Sequence, residues 1–176
     1  RHAVIGENRM TPVPKGSDMR LACLLGCAVS TGIGVTFNEA KLDAGCSLAV
    51  IGCGGVGLNV IQGAALRKAH PIIAVDTEPA ALERAREFGA SHVVLAGGGG
   101  ADVPDQIRGL TGGEGAECVI VTATSPAAIE AGAASSTIPG RVYVLGVPPA
   151  GSKVTFDAKA LHLKRMIMGA IGGGIS

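Results

Sequence analysis

The sequence predicts an α/β fold: an open, doubly wound parallel sheet of six strands with helices on both faces. Three observations carry this. From about residue 48 onward, short apolar runs alternate with stretches of helical spacing, joined by short loops, which is the pattern of right-handed βαβ crossovers. The chain is 47% hydrophobic with mean hydropathy +0.41, yet only 2% aromatic and without Trp. Its core must therefore be built from Val, Ile, Leu and Ala, the residues of strands covered on both faces. Finally, 28 glycines in 176 residues supply many tight turns, and this length holds one sizeable domain.

The opening "RHAVIGENRMTPVPKG" reads as the tail of a strand running into a Pro/Gly linker. Residues 1–15 are assigned to a preceding domain and residues 16–176 to one domain of their own. The chain does not begin with Met, and "MGAIGGGIS" stops just after a strand-like run, so a fragment of a longer protein is expected. Ser17 or Asp18 can cap a first helix. Its apolar face runs through Leu21, Leu24, Leu25, Val29 and Ile33, weakened by Gly26, Gly32 and Gly34. Strands are expected over 48–52, 72–76, 93–96, 118–123, 142–147 and 166–171. Helices are expected over 55–69, 79–88, 103–110 and 126–136, with Pro79 as a first-turn proline. "AGGGGAD", from Ala96, reads as a turn.

Charge and cysteine usage remove several classes. The net charge is +1, with no basic run and no stripe of aromatics among arginines and lysines, so no nucleic-acid partner is expected. No apolar run approaches the ~18 residues that cross a bilayer, no signal peptide opens the chain, and no membrane partner is expected. Five cysteines, an odd number without paired spacing, point to a reducing cytoplasm.

The chemistry lies in "LAVIGCGGVGLNVIQGAALRKAHPIIAVDT", residues 48–77. Gly52, Gly54 and Gly57, with Gly55 and Val56 between them, fit G-x-G-x-x-G. The motif follows a predicted strand, opens a predicted helix, and is followed by Asp76 at the end of the next strand; that combination is the dinucleotide fingerprint of a Rossmann fold. Gly52 permits the tight turn. Gly54 lets the backbone approach a pyrophosphate, and Gly57 lets helix and strand pack closely. The helix N-terminus offers free N–H groups to the anion. Asp76 can accept hydrogen bonds from ribose hydroxyls and would repel a 2′-phosphate. No arginine follows it directly, so NAD is favoured over NADP.

"LLGCAVSTGIG", "AVIGCGGVG", "IIAVDT" and "VLGVPP" stand in one order. Together they resemble the coenzyme domain of the zinc-dependent medium-chain alcohol dehydrogenases, including the thiol-linked formaldehyde and aryl-alcohol branches. The resemblance runs from about Gly16 to the C-terminus. It implies an NAD-binding domain that holds nicotinamide for hydride transfer from a zinc-bound alcohol. It assigns Cys27 as one ligand of a catalytic zinc held in the full-length enzyme. Thr31 and Val56 lie at the nicotinamide by the same likeness, Thr122 and Ala123 line the cleft, and the backbone of Leu145, Gly146 and Val147 binds the carboxamide. Where the family often has a basic residue five positions after the ribose aspartate, this chain has Ala81. On local chemistry alone Cys27 is a small core residue; Cys23 lies one turn before it, and Cys46, Cys53 and Cys118 read as structural. His2, His70, His92 and His162 are isolated and read as surface or linker residues.

The other zinc ligands, the proton relay and most of the substrate pocket belong, by the same resemblance, to a domain not in this chain. No catalytic residue is assigned here, and the fragment is expected to be inactive. The substrate is expected to be a small alcohol or aldehyde. Two other readings compete: a zinc-free quinone reductase of the same superfamily, and a non-catalytic NAD-sensing module. Cys27 and Asp76 argue against the first, Thr31 and "VLGVPP" against the second. The final apolar strand is expected at the sheet edge, pairing with a second copy to give a homodimer through Met166, Ile167, Met168 and Ile171.

Overall fold

The computed structural model describes residues 4–100 and 102–174. Six strands form one wholly parallel sheet in the order β3-β2-β1-β4-β5-β6. They are β1 (Leu48–Ile51), β2 (Ile72–Asp76), β3 (His92–Leu95), β4 (Ala116–Val121), β5 (Ser136–Val144) and β6 (Met166–Gly169). All four side chains of β1 are buried. Leu48 and Val50 enter one core cluster, Ala49 and Ile51 the other. Successive side chains leave opposite faces of a strand, so a central strand covered on both sides must be apolar throughout. This is why β1 and β2 read as unbroken apolar runs.

The helices of the alternating region are α3 (Gly55–Leu66), α4 (Pro79–Glu87), α5 (Val103–Leu110) and α6 (Pro126–Ser135). Their starts agree with the sequence reading. Pro79 sits in the first turn of α4, Asp102 caps α5 through its carboxylate, and Ser125 caps α6. The boundary that moved most is β5. It begins near Ser136, slips register between Ala116 and Cys118 of β4, and leaves the sheet at Val144. Pro139 and Gly140 hid its first half, since neither favours a strand. A short helix α7 (Ala158–His162), capped by Asp157, was not foreseen.

The first helical segment starts where Asp18 accepts from the backbone N–H of Arg20 at 2.9 Å. It runs through α1 (Met19–Leu24), a π-helical turn (Leu25–Val29), α2 (Ser30–Gly34) and a second π-helical turn (Val35–Glu39). This 21-residue run is long and apolar enough, by length and composition, to cross a membrane. The expectation that no stretch approaches that length is therefore corrected. Gly26, Gly32 and Gly34 had masked it. Its second half is packed into the domain: Gly32, Gly34, Val35 and Thr36 are buried. A Cβ on Gly32 would fall 2.5 Å from that of Asn59 in α3, so this glycine lets two helices meet. The first half leaves Leu21, Leu24 and Leu25 exposed.

The strand tail expected at the start is not found among the described residues, where residues 4–8 and 10–16 are exposed and the segment holds only a 3₁₀ turn, Glu7–Arg9. His2, Ile175 and Ser176 lie outside the described residues. After β6 a 3₁₀ turn, Gly172–Gly174, folds onto α2. Asn38 Nδ2 donates to the carbonyl of Gly173 at 3.0 Å. Gly173 has φ +73°, and a Cβ there would press on Gly34 Cα at 2.9 Å.

β6 is an edge strand, but its side chains correct one expectation. Ile167 packs against one core cluster and Met168 against the other. Neither faces outward from the edge, because side chains of a strand stand perpendicular to the sheet. Met166 and Ile171 are exposed, at 46% and 92%.

Candidate functional site

The strand order reverses across β1, whose successor β2 lies on one side and β4 on the other. Ligands of open α/β sheets bind in the crevice this reversal leaves at the strands' carboxyl ends. Here that crevice is roofed by the glycine turn. Gly52 takes φ +99°, and α3 begins three residues later. A Cβ on Gly57 would stand 2.9 Å from the carbonyl carbon of Gly52 and overlap its oxygen. A Cβ on Gly54 would meet nothing within 4 Å. These two glycines thus serve different ends: one closes the helix onto the turn, the other leaves open space beside it. Gly54 is the N-cap of α3 and provides no side-chain cap, so the first amides of that helix have no side-chain acceptor.

Neighbouring strand ends hold the turn in place. The backbone N–H of Cys53 donates to Asp76 Oδ2 at 2.6 Å, and that of Glu78 to Oδ1 at 3.0 Å. Thr122 Oγ1 donates to the carbonyl of Gly52 at 2.7 Å. Gly146 lies where a Cβ would come 2.8 Å from the carbonyl oxygen of Thr122 and closer still to that of Ala123. Asp76 therefore has a structural task beside the one read from sequence, and the Thr122 hydroxyl is turned to the glycine turn.

Two grooves meet at this turn. The first, of about 770 Å³, runs from Gly52, Gly54, Gly55 and Val56 past Asp76 and Thr77 to Ala96, Asp102 and Val103, and is walled on its other side by Ala123, Ser125 and α6. The second, of about 430 Å³, is lined by Cys27, Thr31, Val56, Thr122, Leu145, Gly146 and Val147, together with Gly169, Ala170, Ile171 and Gly172. Val56 and Thr122 belong to both. Every residue singled out from the sequence lines one of the two grooves except Gly57, which is buried beneath the turn. Sequence reasoning missed Ala170, Ile171 and Gly172 in the second groove, since "GAIGGG" carries no charged or hydroxyl group to mark it. It also missed Asp102 in the first, which lies in a segment read as a turn.

The donor set fits a dinucleotide. There is open space beside Gly54, an uncapped helix start for a pyrophosphate, a carboxylate at the end of β2, and a second groove reached past Val56. The fit to a metal is partial. Cys27 is exposed in the π-helical turn and lines the second groove. Among the described residues no group of three or more His, Cys, Asp and Glu could hold an ion. His70 and His162 are exposed, and His92 is half-buried beside Ser91 Oγ at 3.0 Å. Cys46, Cys53 and Cys118 are buried. Burial, then the neighbouring Asp76 carboxylate, pushes the Cys53 thiol up to about 12, and burial likewise raises Cys46 to about 11. Both stay neutral thiols at physiological pH.

Comparison with known proteins agrees with this geometry. Residues 55–176 match the family model described as zinc-binding dehydrogenase. The chain is 33% identical over 177 residues to an S-(hydroxymethyl)glutathione dehydrogenase of Synechocystis sp., covering 99% of this chain and 47% of that protein. It is 46% identical over 90 residues to the enzyme of that name from Haemophilus influenzae, covering 51% and 24%. The chain thus spans at most about half the length of these curated relatives. Among solved structures, an alcohol dehydrogenase zinc-binding domain protein from Burkholderia ambifaria superposes with TM-score 0.85 at 35% identity, covering 92% of this chain and 43% of that one. Benzyl alcohol dehydrogenase from Acinetobacter calcoaceticus gives TM-score 0.85 at 31% identity, covering 92% and 44%. The family match takes in more than half of the chain and includes the start of α3, the β2 aspartate and the groove residues that follow them: this chain belongs to the zinc-binding dehydrogenases.

Proposed function

We propose that this chain is the coenzyme-binding part of an NAD-dependent, zinc-dependent alcohol or aldehyde dehydrogenase. The observation that carries the reading is the Asp76 carboxylate, bonded to the Cys53 amide and lying on one groove with the open, uncapped turn at Gly54. When bound, NAD supplies the hydride acceptor and zinc the Lewis acid that lowers the pKa of an alcohol. The chain's own residues bind and orient. The first amides of α3 take the pyrophosphate. Asp76 takes the adenosine ribose hydroxyls and repels a 2′-phosphate. Val56 backs the nicotinamide, Thr31 packs at it, and the backbone of Leu145, Gly146 and Val147 takes its carboxamide. Cys27 supplies one thiolate to the zinc. Residues outside this chain supply the other ligands, the proton relay and most of the substrate pocket.

The same reading places the protein in the cytoplasm, its substrate among small alcohols or aldehydes, and two copies edge to edge at β6, with Met166 and Ile171 at the seam. Calorimetric titration of the chain with NAD(H) and NADP(H) tests it. Tighter binding of NAD(H), with the difference narrowed in Asp76→Asn, is expected. Equal or tighter NADP(H) binding refutes the argument from Asp76.

A further inference from the structure

The first groove extends well beyond the glycine turn and Asp76. Its lining also takes in Val75, Ala96, Val103, Ala127, Ala128 and Ala131, beside the polar Thr77, Thr124 and Ser125. The small apolar side chains among these suit a slot for a flat aromatic ring. Asp102 lines the same groove. It stands at the entry to α5 and is exposed. Its Oδ1 accepts from the Val103 amide at 2.9 Å, which fixes the carboxylate at the rim.

We infer that Asp102 is a specificity-determining residue for the purine of the dinucleotide: its carboxylate accepts a hydrogen bond from the exocyclic amine of adenine lying in this slot. The inference rests on the reading of the groove as an NAD site. A carboxylate only accepts at neutral pH. It therefore favours a base that presents an amine and opposes one that presents a carbonyl oxygen at the same position. Adenine presents the amine, hypoxanthine the oxygen. A hydrogen bond to a charged group is among the stronger kind, and replacing it by two facing acceptors loses the bond and adds repulsion. Discrimination of about ten-fold or more is the expected scale.

The test is calorimetric titration of this chain with NAD and with nicotinamide hypoxanthine dinucleotide, in the unmodified chain and in Asp102→Asn and Asp102→Ser. Both substitutions keep a side chain able to cap α5, so folding is preserved and circular dichroism confirms it. The unmodified chain should bind NAD at least about ten-fold more tightly than the hypoxanthine analogue. Asp102→Asn should bring the two within about three-fold, because its amide can also donate to the oxygen of hypoxanthine. Asp102→Ser should weaken NAD and tighten the analogue, because the repulsion between two acceptors is gone and a hydroxyl can donate to the hypoxanthine oxygen. Equal affinities in the unmodified chain, or discrimination that survives both substitutions, overturns the role of Asp102 while leaving the NAD reading standing. Failure of the unmodified chain to bind NAD overturns both.

Discussion

Alanine at Gly57 and alanine at Gly54 should have opposite effects, although both glycines belong to one motif three residues apart. At Gly57 the added Cβ would stand 2.9 Å from the Gly52 carbonyl carbon, 3.2 Å from Thr122 Oγ1 and nearest of all to the Gly52 oxygen. Two of these atoms are backbone, in a turn with φ +99° that the Cys53 and Thr122 hydrogen bonds hold in place. Ordinary contact begins near 3.4 Å, so α3 must retreat by at least about half an ångström, and further for the oxygen. Overpacking costs about 1–3 kcal/mol, and an overlap with fixed backbone as close as this one belongs to the upper part of that range, about 2–3 kcal/mol. Alanine's better helix propensity returns about 1 kcal/mol, leaving a net loss of about 1–2 kcal/mol. For a chain of this size that lowers Tm by about 2–8 °C.

At Gly54 the Cβ meets nothing within 4 Å, and φ −75° is open to alanine. The substitution should leave stability nearly unchanged: restricting the unfolded chain gains about 0.4–1 kcal/mol, and replacing glycine by alanine at an N-cap costs a similar amount. The methyl group would occupy the space a pyrophosphate needs, however, and NAD affinity should fall at least about ten-fold, or about 1.4 kcal/mol. Thermal melts and calorimetric titration of both variants give the two readouts. Undiminished NAD binding by Gly54→Ala, or an unchanged melting temperature for Gly57→Ala, would refute this division of labour.

Under native conditions a thiol reagent should label Cys23 and Cys27 rapidly and reach Cys46, Cys53 and Cys118 only on unfolding; fast native labelling of all five would contradict the core. The Cys53 thiol, pushed from 9.0 to about 12, holds its proton more tightly folded than unfolded. Its contribution to stability is complete below about pH 9 and is lost as pH rises toward 12. Melting temperature should fall over that window, and less steeply in Cys53→Ala; an identical slope would exclude this cause. The purified chain should hold no stoichiometric zinc by elemental analysis, since one thiolate is a weak site. Met166→Asp should give a monomer by sedimentation with an unaltered melt, whereas Ile167→Lys should lower the melting temperature, because Ile167 is half-buried and packs against the core; a dimer unaffected by Met166→Asp would place the contact elsewhere.

The helices and strands from residue 48 to 135 were legible because each boundary has a local physical mark. Pro79 marks the start of α4, and the central strands, buried on both faces, read as unbroken apolar runs. The glycine turn was legible for the same reason, since Gly52 and Gly57 are demanded by backbone proximity that any sequence in this geometry must satisfy. The start of β5, the turn at Gly172 and the place of Asp102 were not. In each case a residue with weak local preference is held by something distant in the chain. Ser136 pairs with Ala116, and Gly173 rests on Gly34 and Asn38. Asp102 becomes a groove residue only because the start of α5 lines one groove with Ser125 and α6.

The same contrast explains why the cofactor can be inferred from this chain and the substrate cannot. The first groove is closed on its own terms: its floor is the end of the sheet, its walls are α6 and the entry to α5, and its polar groups Asp76, Asp102 and Ser125 are each held by backbone amides. A ligand placed there meets a preorganised surface, and its chemistry can be read from that surface. The second groove has only one organised side. Cys27, Val147 and Ile171 stand exposed on it, and Leu24 and Leu25 lie exposed in the helical run that carries Cys27. Exposed apolar side chains around a lone thiol make half a pocket. With only one side organised, this groove adds little to the hold on a dinucleotide, so substitution of the exposed side chains of Val147 and Ile171 should alter cofactor binding by this chain little when measured by calorimetric titration.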